Sequence, residues 1–194
     1  MKRMNKFEKI SYSQFRDDLA DVTKVKTMYD GCEVISSPVN YSKTNGKAMA
    51  KVYFDVKDIY DKIKIPNRAT ARSAGYDFYA PYPFIIGPGE TKKVLTCVKC
   101  RLDDDCVLLL DIRSSVGVKH GITLANTIGV VDADYYDNKD NEGHIILCLK
   151  NNGNEPVYFG FGNRIAQGVI VRYVTTEDDE AYGSRSGGFG STGK

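Results

Sequence analysis

The feature that most constrains the fold is a series of short apolar runs between residues 63 and 174, each ended by turn residues. "KIKI" ends at Pro66, "YDFYAP" ends at Pro81, and "PFIIGPGE" contains a Gly-Pro-Gly turn. The later runs are "TKKVLTCVKCRL", "CVLLLDIRSS", "GITLANTIGVVDADYY", "GHIILCLKN", "EPVYFGF" and "RIAQGVIVRYV". About eight short strands with no long helix between them predict an all-β core built as a sandwich, jelly roll or barrel.

Two further segments flank this core. Residues 1–62 form an N-terminal extension of unassigned chemistry, which we expect to pad the domain or to contact another subunit. In it, "CEVISS" and "AMAKVYFDV" predict strands separated by a turn at Asn45-Gly46. A short helix is predicted by apolar residues at helical spacing after a Ser13 cap, namely Phe15, Leu19, Val22 and Val25. Residues 175–194 join an acidic linker to a Gly-rich tail, which predicts a mobile C-terminal arm.

Composition excludes several functional classes. Hydrophobic residues make up 42% of the chain and charged residues 27%, as in an ordinary globular protein. No apolar run approaches the roughly 18 residues that a membrane span needs, so we expect no membrane association. The net charge of +2, without a basic run, argues against a nucleic-acid partner. The N-terminus lacks the apolar region of a signal peptide, which predicts a cytoplasmic protein.

The five cysteines are predicted to be free thiols, since their number is odd and no export signal precedes them. Cys97 and Cys100 match a CxxC pair, the spacing of half a zinc site. A second pair of ligands at zinc spacing is missing from the sequence, and residues i and i+3 of a strand point to opposite faces. A metal site stays open as an alternative, but free strand cysteines are the favoured interpretation.

Two stretches carry candidate chemistry in the core. Asp132 in "DADYY" follows an apolar strand, where a carboxylate could hold a water or a metal, although an Asp also closes hairpin turns through its own hydrogen bonds. Arg113, Ser114 and Ser115 in "IRSSVG" suit an anion, because arginine offers a planar fork and the hydroxyls add donors. The same composition is common in simple turns, so this stretch alone leaves both interpretations open.

Two more stretches are equally open when taken alone. "NRIAQG" offers Arg164 and Gln167 to an anion, or is an edge strand with one outward polar residue. The tail "GGFGSTG" could wrap a phosphate with backbone amides while Phe189 lies on a flat ring, or could be a disordered terminus. Only two histidines occur, and His144 beside the proposed hairpin is more typical of a surface or hydrogen-bonded residue than of a catalyst.

The order of these stretches is more informative than any one of them. "AGYDFYA" (74–80), "IRSSVG" (112–117), "NTIGVVDADY" (126–135), "GNRIAQ" (162–167) and "GGFGSTG" (187–193) together resemble the five ordered motifs of the trimeric deoxyuridine triphosphatases (dUTPases). The long "YDNKDNE" insertion at 136–142 is most similar to the variants of Gram-positive bacteria and their phages. The resemblance covers roughly residues 63–194 and implies a distorted jelly-roll or β-barrel fold in the cytoplasm.

The resemblance also implies a reaction. Members of the family hydrolyse dUTP to dUMP and pyrophosphate, with Mg²⁺ on the triphosphate. By similarity, Asp132 would hold and activate the water that attacks the α-phosphorus, and Asp77 would hold the metal's water shell. The residues that would bind the phosphates are Arg113, Ser114, Ser115 and Gln167.

A nucleoside pocket and a lid follow from the same resemblance. Uracil would be recognised largely through the backbone of a hairpin, and Tyr135 would pack against the deoxyribose where a 2′-hydroxyl would clash. The pocket residues would be Asn126, Gly129, Val130, Val131, Tyr135 and Ile146. The lid residues that would bind substrate are Arg185, Phe189, Gly190, Ser191 and Thr192. Three chains would form a homotrimer with shared active sites, and the arm of one chain would close over the site of another.

The sequence departs from the family pattern at three positions. Asn163 replaces the usual aspartate of the fourth motif, Ile112 replaces a common proline, and Arg185 stands four residues before Phe189 instead of five. Two alternatives on the same fold remain: a dCTP deaminase-like enzyme, or a nucleotide-responsive regulatory protein. The deaminase is disfavoured, because Cys148 stands where that chemistry needs a glutamate.

Overall fold

Short β-strands dominate the architecture. The computed structural model describes residues 5–23, 27–29, 32–40, 49–181 and 183. Its elements are β1 (Lys6–Lys9), α1 (Tyr12–Thr23), β2 (Thr27–Tyr29), β3 (Cys32–Asn40), β4 (Met49–Asp55), α2 (Val56–Asp61), β5 (Asn67–Arg68), β6 (Tyr76–Tyr79), β7 (Phe84–Ile86), β8 (Thr91–Leu95), β9 (Val98–Arg101), β10 (Cys106–Ile112), α3 (Ser114–His120), β11 (Ile122–Leu124), β12 (Gly129–Val131), β13 (Ile146–Asn151), β14 (Val157–Phe159) and β15 (Arg164–Arg172). The predicted all-β, jelly-roll-like class is confirmed.

The largest sheet carries the motif residues. Its strand order is β12-β10-β15-β6-β5, and all of its pairs are antiparallel. Side chains of β10 alternate between the core and the opposite face, because successive strand residues point to opposite sides. A second sheet of order β11-β13-β8 contributes Leu147, Leu149 and Val94 to the same core.

The N-terminal segment shares this core. Strand β1 pairs with β9 from Lys6↔Arg101 to Lys9↔Val98. The Phe7 ring lies 5.1 Å from that of Tyr76, measured between ring centroids, and helix α1 buries Phe15 and Leu19. The predicted helix is therefore confirmed. Its cap is Ser11 and not Ser13, since Ser11 Oγ accepts the Gln14 N–H at 3.2 Å.

Three local predictions differ from the structure. "KIKI" is not a strand: helix α2, capped by Asp55, ends at Asp61, and strand β5 begins only at Asn67. "TKKVLTCVKCRL" is two strands instead of one, because Cys97 adopts a left-handed φ of 63° between β8 and β9. "GITLANTIGVVDADYY" likewise divides into β11 and β12. The predicted Asn45-Gly46 turn lies outside the described residues.

The CxxC thiols are buried and free. Cys97 and Cys100 are almost fully enclosed by the core, although the sequence placed them on opposite faces of one strand. Burial raises the pKa of the Cys100 thiol to about 12 and holds the pKa of Cys97 well above its usual value. Both thiols are therefore protonated at neutral pH, which makes them poor metal ligands and poor nucleophiles.

The helices in the described part of the chain are all too short or too polar to cross a bilayer.

Candidate functional site

A cleft of about 580 Å³ opens between strand β12, the turn that precedes it and strand β13. It contains every residue predicted for the nucleoside pocket: Asn126, Gly129, Val130, Val131, Tyr135 and Ile146. Its remaining lining was not predicted and is mainly apolar: Leu110, Leu124, Ala125, Ile128, Ile145, Leu147 and Cys148. An apolar cleft with a few polar groups is typical of a small-molecule site.

Strand β12 presents its backbone to this cleft. It stands at the end of the sheet order and pairs only with β10 among the described strands. Its outer N–H and C=O groups are thus available to a planar ligand with its own donors and acceptors. Gly129 allows close packing beneath the strand, since a Cβ there would lie 3.0 Å from Leu110 Cβ and 3.2 Å from Leu110 Cδ1.

Tyr135 is held rigidly at one side of the cleft. It ends a single 3-10 turn, Ala133–Tyr135, and its side chain is buried. Its hydroxyl donates to the His144 carbonyl at 3.0 Å and accepts from Asn141 Nδ2 at 2.8 Å. The ring therefore forms a fixed wall. Asp132 begins the same turn, directly after β12, and is half-exposed beside the cleft.

A second group of predicted residues lies where β15 pairs with β10 on one side and with β6 on the other. The register places Gln167 between Asp111 and Asp77 in one row across the sheet. The carboxylate of Asp77 is buried, and its two oxygens contact Arg113 Nε at 3.2 Å and Arg164 Nη1 at 3.3 Å. Asp77 thus orients two guanidinium groups that are well suited to phosphate oxygens.

Ser114 and Ser115 complete this second group. Both are exposed and form the first turn of the short helix α3, directly after Arg113. Arg113 and Ser114 also line a separate open cleft of about 600 Å³, which Lys150 borders as well. The group therefore combines cationic and hydroxyl donors at one surface, which is the donor set of an anion site.

The residues fit magnesium only together with an anionic ligand. Mg²⁺ keeps several waters and binds through one or two carboxylates plus substrate phosphates. Asp77 offers one carboxylate, which two guanidinium groups already contact. A cation near Asp77 would therefore need the negative charge of a polyphosphate beside it, and water-mediated contact with Asp77 suits that arrangement.

One chain does not bring Asp132 and the phosphate donors together. Val131 pairs with Leu108, so Asp132 lies near the start of β10, whereas Arg113 follows the opposite end of the strand at Ile112. The separation is roughly 15–20 Å along the strand at the usual rise per residue. Asp132 and the phosphate donors of a single chain therefore stand near opposite ends of β10, although the two clefts adjoin through Leu124 and Ala125, which line both.

The structure also explains one departure in the motifs. Asn163 Oδ1 accepts the Gly160 N–H at 2.8 Å, and the Asn163 N–H donates to the Gly160 carbonyl at 3.0 Å. Asn163 thus closes its turn with the acceptor that an aspartate would supply. The predicted lid residues Arg185, Phe189, Gly190, Ser191 and Thr192 lie outside the described residues.

Sequence reasoning missed the hydrogen-bonded groups behind Tyr135. Asn141 and His144 contact it from the 136–142 insertion and the residues just after it, and Asp18 of α1 contacts His144. The cluster of polar residues in "YDNKDNEGH" was a signal for such a network. Nothing in the sequence around Asp18 indicates its partner.

Comparisons with known proteins agree with the motifs. The family model described as dUTPase matches residues 61–193. A deoxyuridine 5'-triphosphate nucleotidohydrolase of Lactococcus lactis is 42% identical over 133 residues, covering 68% of this chain and 89% of the relative. The corresponding protein of Hahella chejuensis is 38% identical over 147 residues, covering 71% and 91%.

Solved structures show the same similarity. The crystal structure of dUTPase from Streptococcus mutans has a TM-score of 0.56 at 39% identity and covers 58% of this chain and 88% of that one. A dUTPase from phage phi11 of S. aureus, whose structure visualises a species-specific insert, has a TM-score of 0.52 at 23% identity, covering 63% and 92%. At that identity the phage protein supports the fold alone.

Proposed function

Because the chain belongs to the dUTPase family, we propose that it hydrolyses dUTP to dUMP and pyrophosphate. The observation that carries the proposal is the nucleoside cleft, where the edge strand β12 and the fixed Tyr135 ring meet, with Asp132 directly beside it. Backbone donors and acceptors on β12 suit a uracil edge, and the apolar lining suits the faces of the base. The predicted family is confirmed by the match over residues 61–193.

In the proposed reaction, Asp132 orients a water molecule and accepts its proton. The water oxygen bonds to the α-phosphorus, the bond from that phosphorus to the α,β-bridging oxygen breaks, and pyrophosphate leaves with the electron pair. Arg113, Ser114 and Ser115 bind the triphosphate oxygens, and Gln167 assists near the α-phosphate. Mg²⁺, when bound to the substrate, would offset the charge of the triphosphate, with Asp77 contacting its water shell.

Tyr135 supplies the proposed selectivity for deoxyribose. Its hydroxyl has a partner on each side, Asn141 and His144, so the ring cannot easily move away from a larger sugar. A 2′-hydroxyl would meet this wall, and UTP would be excluded by steric clash. The proposal therefore assigns sugar selectivity to the rigidity of one side chain and not to a new attractive contact.

We further propose a homotrimer in which each active site is shared. The separation of Asp132 from Arg113 along β10 supports this arrangement, since the two groups stand near opposite ends of the strand within one chain. A neighbouring chain would bring its Arg113, Ser114 and Ser115 to the nucleoside cleft. Closed symmetric assemblies of this kind are common among soluble proteins.

The predicted division of the chain completes the proposal. Residues 63–174 would carry the catalytic core, and residues 175–194 would form the lid that closes over a neighbouring chain's site. Arg185 would reach the γ-phosphate, Phe189 would stack on the base, and the amides of Gly190, Ser191 and Thr192 would bind phosphate. Ordering such a Gly-rich arm costs on the order of 1–2 kcal/mol per residue, so closure would need bound substrate.

A substrate panel tests the proposed function. Purified protein with Mg²⁺ should release pyrophosphate from dUTP and spare dCTP, dTTP and UTP. Ammonia release from dCTP would instead indicate the deaminase, which Cys148 on the cleft wall disfavours, because β13 offers no carboxylate at that position. Nucleotide binding without turnover of dUTP would contradict the proposal and favour a regulatory protein.

A further inference from the structure

We propose that helix α1, although it lies outside residues 61–193 of the family match, positions Tyr135 and so contributes to the discrimination between deoxyribose and ribose. The inference rests on the proposed function, because it assigns Tyr135 the role of sugar wall. The contacts that support it join Asp18 and Ser11 of the N-terminal segment to His144 and Glu142 of the hairpin formed by residues 136–144.

Tyr135 is held directly by hydrogen bonds from the hairpin. Asn141 Nδ2 donates to its hydroxyl at 2.8 Å, and the His144 carbonyl accepts from that hydroxyl at 3.0 Å. Asn138 Nδ2 donates to the Tyr135 carbonyl at 2.8 Å, and Asn138 Oδ1 accepts the N–H groups of Asp140 and Asn141. The position of the Tyr135 ring therefore depends on where the 136–144 hairpin is held.

The His144 ring is held by hydrogen bonds at both of its nitrogens. It is completely buried. Nε2 accepts the Cys97 N–H at 2.9 Å, so we assign the proton to Nδ1, which donates to Asp18 Oδ2 at 2.5 Å. The ring is held from both sides, by the β8–β9 connection and by α1. Loss of the Asp18 acceptor would leave a buried N–H without a partner, which is costly.

A second pair of hydrogen bonds joins the start of α1 to the hairpin. The Glu142 carboxylate accepts the Ser11 backbone N–H at 2.8 Å and the Ser11 hydroxyl at 2.6 Å. Ser11 is also the cap of α1, so the start of the helix is joined to the hairpin. The same side of α1 is anchored in the core through Phe15 and Leu19, which lie at helical spacing from Ser11 and Asp18. Helix α1 is therefore a fixed support against which the hairpin is placed.

The consequence concerns selectivity more than turnover. The Tyr135 ring can exclude a 2′-hydroxyl by steric clash only if it stays in place. Displacements on the order of 1 Å change rates strongly. A less firmly held hairpin would let the Tyr135 ring move and admit ribose. The kcat/KM for dUTP would fall less, because deoxyribose fits without any movement of the ring. The ratio of kcat/KM for dUTP to that for UTP is thus the sensitive quantity.

The experiment compares full-length Asp18→Ala with wild type, using dUTP and UTP as substrates. We expect Asp18→Ala to lower the dUTP/UTP ratio of kcat/KM by roughly tenfold, chiefly through a higher kcat/KM for UTP. Asp18→Asn keeps an acceptor for His144 Nδ1 and should restore the ratio to near the wild-type value. Asp17→Ala is the matched control, because Asp17 is exposed and points away on the same helix, with Arg16 as its ion-pair partner.

The outcomes separate the two proposals. A wild-type protein that fails to hydrolyse dUTP overturns the proposed function and the inference with it. A selective wild type with an unchanged ratio in Asp18→Ala, or with equal losses on both substrates, overturns the inference alone. Should Asp18→Ala fail to fold, Glu142→Ala decides, since it removes both bonds to Ser11 from a partly exposed site and should also lower the ratio.

Discussion

Asp132 is the residue on which the proposed chemistry depends most. It begins the turn after β12 and lies beside the nucleoside cleft without lining it. Asp132→Asn keeps the shape but removes the general base, so kcat should fall by about 10²–10⁴-fold. Binding of a non-hydrolysable dUTP analogue, measured by calorimetry, should change little. An unchanged kcat would remove Asp132 from the mechanism.

Gly143 occupies a position in the hairpin where a side chain would collide with the backbone. Its φ is +80°, and a Cβ there would lie 2.7 Å from the Tyr135 carbonyl oxygen. Gly143→Ala should therefore lower the free energy of unfolding by more than Gly89→Ala. Gly89 has a similar φ of +73° but meets no atom within 4 Å, so Gly89→Ala carries only the left-handed strain of about 1–2 kcal/mol. Equal losses in chemical denaturation would contradict the predicted clash.

The residues of the site were predictable to the extent that their chemistry is local. Arg113, Ser114 and Asp132 stand in short stretches whose composition suits anions or water, and the structure places them at the start of short helical turns that follow β10 and β12. The contact of Asp18 with His144 joins positions 126 residues apart, and no sequence period relates them. A long-range pair of this kind leaves no local pattern, so only the fold shows it.

At the level of elements, the ladder between β1 and β9 is joined to the hairpin by Glu8 and Tyr136. The hydrogen bond from Lys6, followed by that from Tyr136, lowers the pKa of Glu8. The contact with Glu8, with burial second, raises the pKa of Tyr136 to about 12. A lowered carboxyl pKa adds stability above the unfolded-state value, and this stability is lost as pH falls through the folded-state value.

The predicted result is a pH-dependent effect of Glu8→Gln. The variant should be less stable than wild type at pH 7, and the difference should shrink as pH falls below about 4.5, where the unfolded carboxyl protonates. Urea denaturation at pH 7, 5 and 3 measures it. Glu155→Gln is the control, since Glu155 is exposed. A difference that stays constant with pH would exclude the charge of Glu8 as its cause.

Elements were predicted well where apolar and polar residues alternate and poorly where the backbone makes an unusual turn. Strand β10 shows clear alternation and begins where the predicted run "CVLLLDIRSS" begins, but it ends at Ile112, because Ser114 and Ser115 already belong to α3. The break at Cys97 depends on a left-handed φ in a non-glycine residue, for which the local sequence carries no signal. Helix α2 was missed because its six residues are too few to display a period.

At the scale of the whole molecule, shared active sites predict complementation between two inactive variants. Asp132→Asn and Arg113→Ala chains should each be inactive, yet co-refolded mixtures should recover up to about a quarter of wild-type activity through random assembly. Light scattering should give about three times the chain mass of 21.6 kDa. Chains that carry both substitutions are the control. Absence of recovery in confirmed mixed assemblies would contradict sites shared in this way.

The arm predicts a separation of folding from activity. A chain ending before Gly183 keeps every described strand and helix, so its thermal unfolding should match that of the full chain. Its kcat/KM for dUTP should fall strongly, because the proposed lid contacts to phosphate and base would be removed. Full activity of the shortened protein would refute the lid, and loss of folding would show that the arm has a structural role instead.

The pairing of β1 with β9 has a consequence for synthesis in the cell. Phe7 leaves the ribosome well before its strand partner Cys100, which is about ninety residues further along the chain. At 5–20 residues per second, β1 waits roughly 5–20 seconds for β9 to emerge. During that interval the Phe7 ring and the unpaired backbone N–H and C=O groups of β1 are exposed to other nascent chains.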